Sequence, residues 1–132
     1  MVTKSIIIVI VASLLSGIIG IIISNIYHAR FEERKIKIDT FKRVFSNRYD
    51  LQGDEFSKAL NEIFVIYNNS ENVISALRSF HQKVVNKQNS EDELLKLLKT
   101  MCKEVDINFD DFNDSFFLKP FNTRQSSMSH TQ

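Results

Sequence analysis

The groups with the chemistry to act on a substrate are few and scattered. Asp106-x-Asn108-x-Asp110 opens like an EF-hand calcium loop. Such a loop needs glycine at its sixth position and a bidentate glutamate at its twelfth; those positions hold Asp111 and Phe117. Ile107 and Phe109 between the acids argue that the segment packs inward, so calcium is not expected. His28, His81 and His130 share no ligand spacing with Cys102, the one cysteine. His81 follows Phe80 and reads as a histidine at the edge of a core. As a nucleophile Cys102 would need a basic partner that depresses its pKa; its neighbours are Met101 and Lys103, and it reads as a cysteine at the edge of a core. No glycine-rich phosphate loop is present. The expectation is a protein that is not an enzyme and carries no cofactor or metal.

Two single residues are candidates for binding. Asn61 is a poor helix former placed mid-helix beside Leu60. Arg48 stands where a helix stops, with Asp50 and Asp54 as its expected ion-pair partners. Arg30, Arg34, Lys35 and Lys37 form a basic cluster with i,i+4 support such as Glu33 to Lys37. That cluster is assigned to lipid headgroups. The formal net charge of +1 implies no field for nucleic acid, and none is expected as a partner.

The element that must position this cluster is an apolar run. Residues 6–23 are uncharged and mostly isoleucine, valine and leucine, and no charge occurs between Ser5 and Ala29. At roughly 1.5 Å per residue a helix of this stretch crosses a bilayer core with some tilt. Tyr27 sits where an amphipathic ring favours the interface. Residues 28–50 carry seven basic groups against four acidic ones. That excess places the C-terminal part in the cytoplasm and the N-terminus outside. The span is longer than a signal-peptide core, and Ser24-Asn25-Ile26-Tyr27-His28 is a poor cleavage site. Ala12, Ser16, Gly20 and Ser24 recur every four residues, a spacing that lets two helices approach closely in lipid. They are assigned to self-association. The expected organisation is an N-terminal tail and span over 1–27, a cytoplasmic helical domain over 28–120 and a disordered tail over 121–132.

Between residues 28 and 119 there is one glycine and no proline, which favours helices joined by short loops. The first helix continues from the span to about Arg48, with Phe31, Ile38, Phe41 and Phe45 on one face. A second runs from Asp54, as N-cap, to Tyr67, with Phe56, Leu60, Ile63, Phe64 and Tyr67 as its stripe. Ser70 is placed to cap a third, whose stripe is Val73, Ile74, Leu77, Phe80 and Val84. Ser90-Glu91-Asp92-Glu93 reads as a capping box opening a fourth with Leu94, Leu97, Leu98, Met101 and Val105 as core. A short turn of helix within 106–120 covers the bundle. Residues 91–118 hold eight acids against three lysines, so this end is as acidic as the juxtamembrane end is basic. The expected fold is all-α: one transmembrane helix continuing into a cytoplasmic bundle of about four helices.

Thr40-Phe41-Lys42 with Arg48 six residues on, Ala59-Leu60-Asn61-Glu62-Ile63, Leu94-Leu95 through Leu97-Leu98 to Met101, and Phe117-Leu118-Lys119-Pro120 occur in a familiar order. The chain thereby resembles an uncharacterised bacterial family of short single-pass membrane proteins with a helical domain of unknown function. The resemblance covers roughly residues 5–120. It implies a bacterial or prophage source and no known activity, and it gives Arg48 and Asn61 weight as shared motif positions. The chain departs from the pattern near Pro120, where Phe116 and Phe117 replace a tyrosine. The functional expectation is a bacterial inner-membrane interaction or assembly module, with membrane lipids and either copies of itself or a protein as partners. The alternative is a small membrane effector of phage defence or prophage exclusion that oligomerises on a ligand or phage component.

Overall fold

The computed structural model of the chain describes residues 2–122, and the described residues form five helices without strands. Most of the expected disordered tail, with His130, lies outside the described residues. Helix α1, Val2–Asn47, contains both the apolar run and the basic stretch that follows it. Two compact units divide within it, between Lys35 and Ile36. In the first unit every described side chain is exposed, isoleucines included. The helix is long and apolar enough to cross a membrane, and none of its most apolar 18-residue window is buried among the described residues.

The second unit is a helical bundle. Helices α2 (Asp54–Ile66), α3 (Glu71–Val85), α4 (Glu91–Glu104) and the short α5 (Asp114–Leu118) join the end of α1 around one core. Apolar residues recurring at three- and four-residue steps put one stripe of each helix inside. α2 buries Phe56, Ala59 and Ile63, α3 buries Val73, Ala76, Leu77 and Phe80, and α4 buries Leu94, Leu97, Leu98, Met101 and Cys102. From α1 come Thr40, Phe41 and Val44, and from α5 comes Phe117. α4 is the hub, packing on both α3 and α5. Three residues expected in stripes lie outside the core: Phe31, Phe64 and Val84 are 53%, 41% and 50% exposed. Ala59, Ala76 and Thr40 are buried instead, because small side chains fill the sites where backbones come closest.

The helix ends depart from the expected caps. Asp54 is the first residue of α2, and Gly53 is its N-cap. A Cβ at Gly53 would lie 2.8 Å from Asp50 Cγ and 3.2 Å from the Asp50 carbonyl oxygen, so a larger residue in this close turn would have to displace the Asp50 side chain. Ser90 precedes α4 as expected, but its hydroxyl makes no capping bond. Asn89 Oδ1 instead accepts from the Glu91 amide at 3.0 Å, while Glu93 faces Lys83 at 3.9 Å. Both α3 and α4 end in Schellman motifs built without glycine. Lys87 and Asp106 take positive φ angles of 54° and 57°. Beyond them the amides of Gln88 and Ile107 donate back to Lys83 and Cys102 carbonyls, each at 2.9 Å. Asp106 is thus a helix stop, and Asn108 accepts from the Asp110 amide in a local turn. The acids that resemble a calcium loop are the punctuation after α4.

Candidate functional site

Two polar constructions hold the bundle, and a cavity lies beside one of them. The first joins four chain segments. Lys37 Nζ on α1 donates to Glu104 Oε1 at the end of α4 at 3.1 Å. Ser70, in the turn before α3, donates to the same oxygen at 2.5 Å. The Tyr67 hydroxyl at the end of α2 donates to the Lys37 carbonyl at 2.8 Å, and Lys37 Nζ lies 5.7 Å over the Tyr67 ring. The Ser70 hydroxyl and the Lys37 ammonium hold the Glu104 carboxyl below the ordinary glutamate range. Burial, and secondarily the Glu104 charge, push the Tyr67 hydroxyl up.

This geometry fixes a pH dependence. A carboxyl with a depressed folded-state pKa contributes stability above its unfolded value and loses it as pH falls through the folded value. Wild-type stability is therefore expected to decline on acidification below about 4.5, the ordinary value for this group. Glu104→Gln is expected to start lower at neutral pH and to show a flatter acid limb. Parallel acid limbs in urea titrations at several pH values would remove Glu104 from the account.

The second construction is built on Arg48, just past the end of α1. Its Nε donates to the Phe117 carbonyl at 2.8 Å, Nη2 to the Phe116 carbonyl at 2.8 Å and Nη1 to the Phe45 carbonyl at 2.5 Å. The guanidinium stacks 3.6 Å from the Phe45 ring centroid. The expected partners Asp50 and Asp54 are not used: Arg48 caps the C-terminal carbonyls of α5, which a cation favours over its N-terminal end. Burial lowers the Arg48 pKa.

The rings around this clamp form an edge-to-face cluster. Phe117 meets Phe45, Phe109 and Phe112 at 6.1, 5.9 and 6.5 Å, and Phe41 stacks on Phe45 at 5.5 Å. They border a cavity of about 510 Å³. Seven phenylalanines line it with Ile107, Pro120, Cys102, Ser46 and Arg48. The Cys102 thiol at its wall is buried and pushed up to about 11, so it stays protonated at neutral pH.

The other sequence candidates sit elsewhere. Asn61 is exposed and lies in a second, smaller groove of about 230 Å³ between α2 and α3, shared with His81. Arg48 and Asn61 thus occupy different sites. Ala12, Ser16, Gly20 and Ser24 are all exposed on α1, as are Arg30, Arg34 and Lys35. Lys37 departs from its lipid-headgroup assignment: its side chain is 12% exposed and its ammonium is paired to Glu104 inside the second unit. Neither the Lys37–Glu104–Ser70 junction nor the cavity is predicted by helical periodicity. The one available signal for the cavity is the density of phenylalanine after α4, at 109, 112, 116, 117 and 121.

No solved structure matches the chain. It is 21% identical over 92 residues to the spindle assembly checkpoint component MAD1 of Saccharomyces cerevisiae. That alignment takes in 70% of this chain and spans only 12% of the yeast protein's length. Residues 1–114 match the family of unknown function DUF6680, and the chain belongs to that uncharacterised family.

Proposed function

We propose that this protein is a non-enzymatic, single-pass membrane module of the bacterial inner membrane. Its helical domain faces the cytoplasm and serves in assembly, with copies of itself or with a protein partner. The observation that carries this reading is the surface of α1 over residues 6–23. Its isoleucines, valines and leucines find no cover among the described residues. In water such a surface is strongly unfavourable, whereas a bilayer core accepts it. The excess of basic residues after the run orients the domain inward, and exposed Arg30, Arg34 and Lys35 suit anionic headgroups.

Self-association would run through Ala12, Ser16, Gly20 and Ser24. Steps of four residues advance about 40° around the helix axis, so the stripe winds gently, as in right-handed close crossings. A Cβ at Gly17 or Gly20 would meet nothing within 4 Å, so packing within the chain does not demand glycine there.

Tagged protein should remain in the membrane fraction after an alkaline carbonate wash; its release would reject the anchor. Gly20→Leu should weaken self-association in membranes, read by crosslinking, about tenfold while helicity is unchanged. Association that survives the leucine would reject this helix face.

A further inference from the structure

We propose that the phenylalanine-lined cavity binds a long-chain carboxylate, with the chain among the rings and the carboxylate on Arg48. This goes beyond the anchoring role and does not depend on it, because the cavity lies wholly within the second unit.

The lining chooses the class of ligand. Sugars, nucleotides and peptides carry several donors and acceptors, each costly to bury without a partner. The cavity offers rings, Ile107 and Pro120, and its polar side chains are those of Ser46, Arg48 and Cys102. A ligand that suits it has a long featureless apolar body and one polar end. About 510 Å³ is within the usual range of small-molecule sites, roughly 300–1,000 Å³. Part of the wall faces solvent: Phe112, Phe116 and Phe121 are 53%, 53% and 93% exposed. Covering such rings with a hydrocarbon chain removes apolar surface from water.

The sign of the polar end follows from Arg48. A guanidinium carries five N–H donors. Nε and both terminal nitrogens each give one to a backbone carbonyl. One N–H therefore remains on each terminal nitrogen, an arrangement that suits the two oxygens of a carboxylate. Among the described residues no carboxylate pairs with Arg48; its partners are three neutral carbonyls and the Phe45 ring. A half-buried cation beside an apolar cavity, without a counter-ion, supplies the charge complement.

The test uses the full chain in phosphatidylcholine nanodiscs and a fatty carboxylate bearing a diazirine near its terminal carbon. On photolysis, label is expected on peptides 41–48 and 107–121. Dodecanoate should compete for this labelling, and dodecanol about tenfold more weakly, because it lacks the charge. Ser46→Trp, which fills the cavity from an exposed position on α1, should reduce labelling of both peptides about tenfold with circular dichroism unchanged. Arg48→Met should do the same, but because Arg48 also holds α5, Ser46→Trp is the deciding variant. Label confined to residues 2–35, equal competition by dodecanol, or full labelling of Ser46→Trp would each overturn the proposal. A diazirine phosphatidylcholine provides the other arm. It is expected to label the span alone, and equal labelling of the cavity peptides would assign the site to a bilayer lipid instead.

Discussion

Leu98→Ala is expected to destabilise the helical domain by about 3–5 kcal/mol. Leu98 is fully buried on α4, the helix that packs on both α3 and α5. Its removal takes several carbons out of the core and leaves a hole that the surrounding side chains cannot fully close. Leu97 and Met101 on α4 itself and Val44 on α1 are also fully buried, and in a close-packed core such side chains have little freedom to move in. Hydrogen–deuterium exchange on the full chain reads this without requiring the apolar helix to unfold. The slowest amides of α3 and α4, which exchange through opening of the whole bundle, should speed up by about 150-fold to about 4,000-fold. A change of less than about fivefold would mean that the core collapses around the alanine and is looser than its burial indicates.

Helix α4 was also the element most fully readable from sequence. Leu94, Leu97, Leu98, Met101 and Val105 recur at helical spacing, and all are buried. The stops near residues 47–53, 68–70 and 86–90 were readable because polar residues and the one glycine of this region interrupt the stripes. Periodicity reports the direction a side chain faces and says little about what opposes it. Phe64 and Val84 face along their stripes but line the open groove between α2 and α3, where no further element among the described residues covers them. Ala59 and Ala76 gave no apolar signal of their own, yet lie inside because the helices close on them. The polar junctions were out of reach for a different reason. Lys37 and Glu104 are 67 positions apart, and Arg48 is 69 from Phe117. Nothing local marks such pairs. Ser70 and Ser90 show the same limit at short range. Each occupies the N-cap position its type favours, yet neither makes the bond, and Ser70 turns instead to a distant carboxylate.

Arg48→Met is expected to cost about 1.5–3 kcal/mol, with the loss concentrated in the segment that Arg48 holds. Methionine still covers the Phe45 ring, so the change isolates the donors from the packing. Without the guanidinium, the Phe116 and Phe117 carbonyls lose their charged partner at the end of a five-residue helix. Such a helix is too short to stand on its own hydrogen bonds. Holding α5 then falls to the burial of Phe117, the packing of Leu118, the Asn113 side-chain cap and the Lys99–Asp114 ion pair at 2.6 Å. That pair is exposed enough to contribute little. Exchange at Phe116 and Lys119, whose amides donate to Asn113 and Ser115 carbonyls, should therefore accelerate while the core amides of α3 and α4 stay protected. Arg48→Lys separates charge from shape. An ammonium keeps the charge but cannot reach three carbonyls in a planar fork, so lysine should recover less than half of the lost protection. If lysine restored it fully, the clamp would be a point charge at a helix end. If α3 and α4 loosened along with α5, Arg48 would be holding the whole bundle, and the cavity it borders could not open or close independently of the fold.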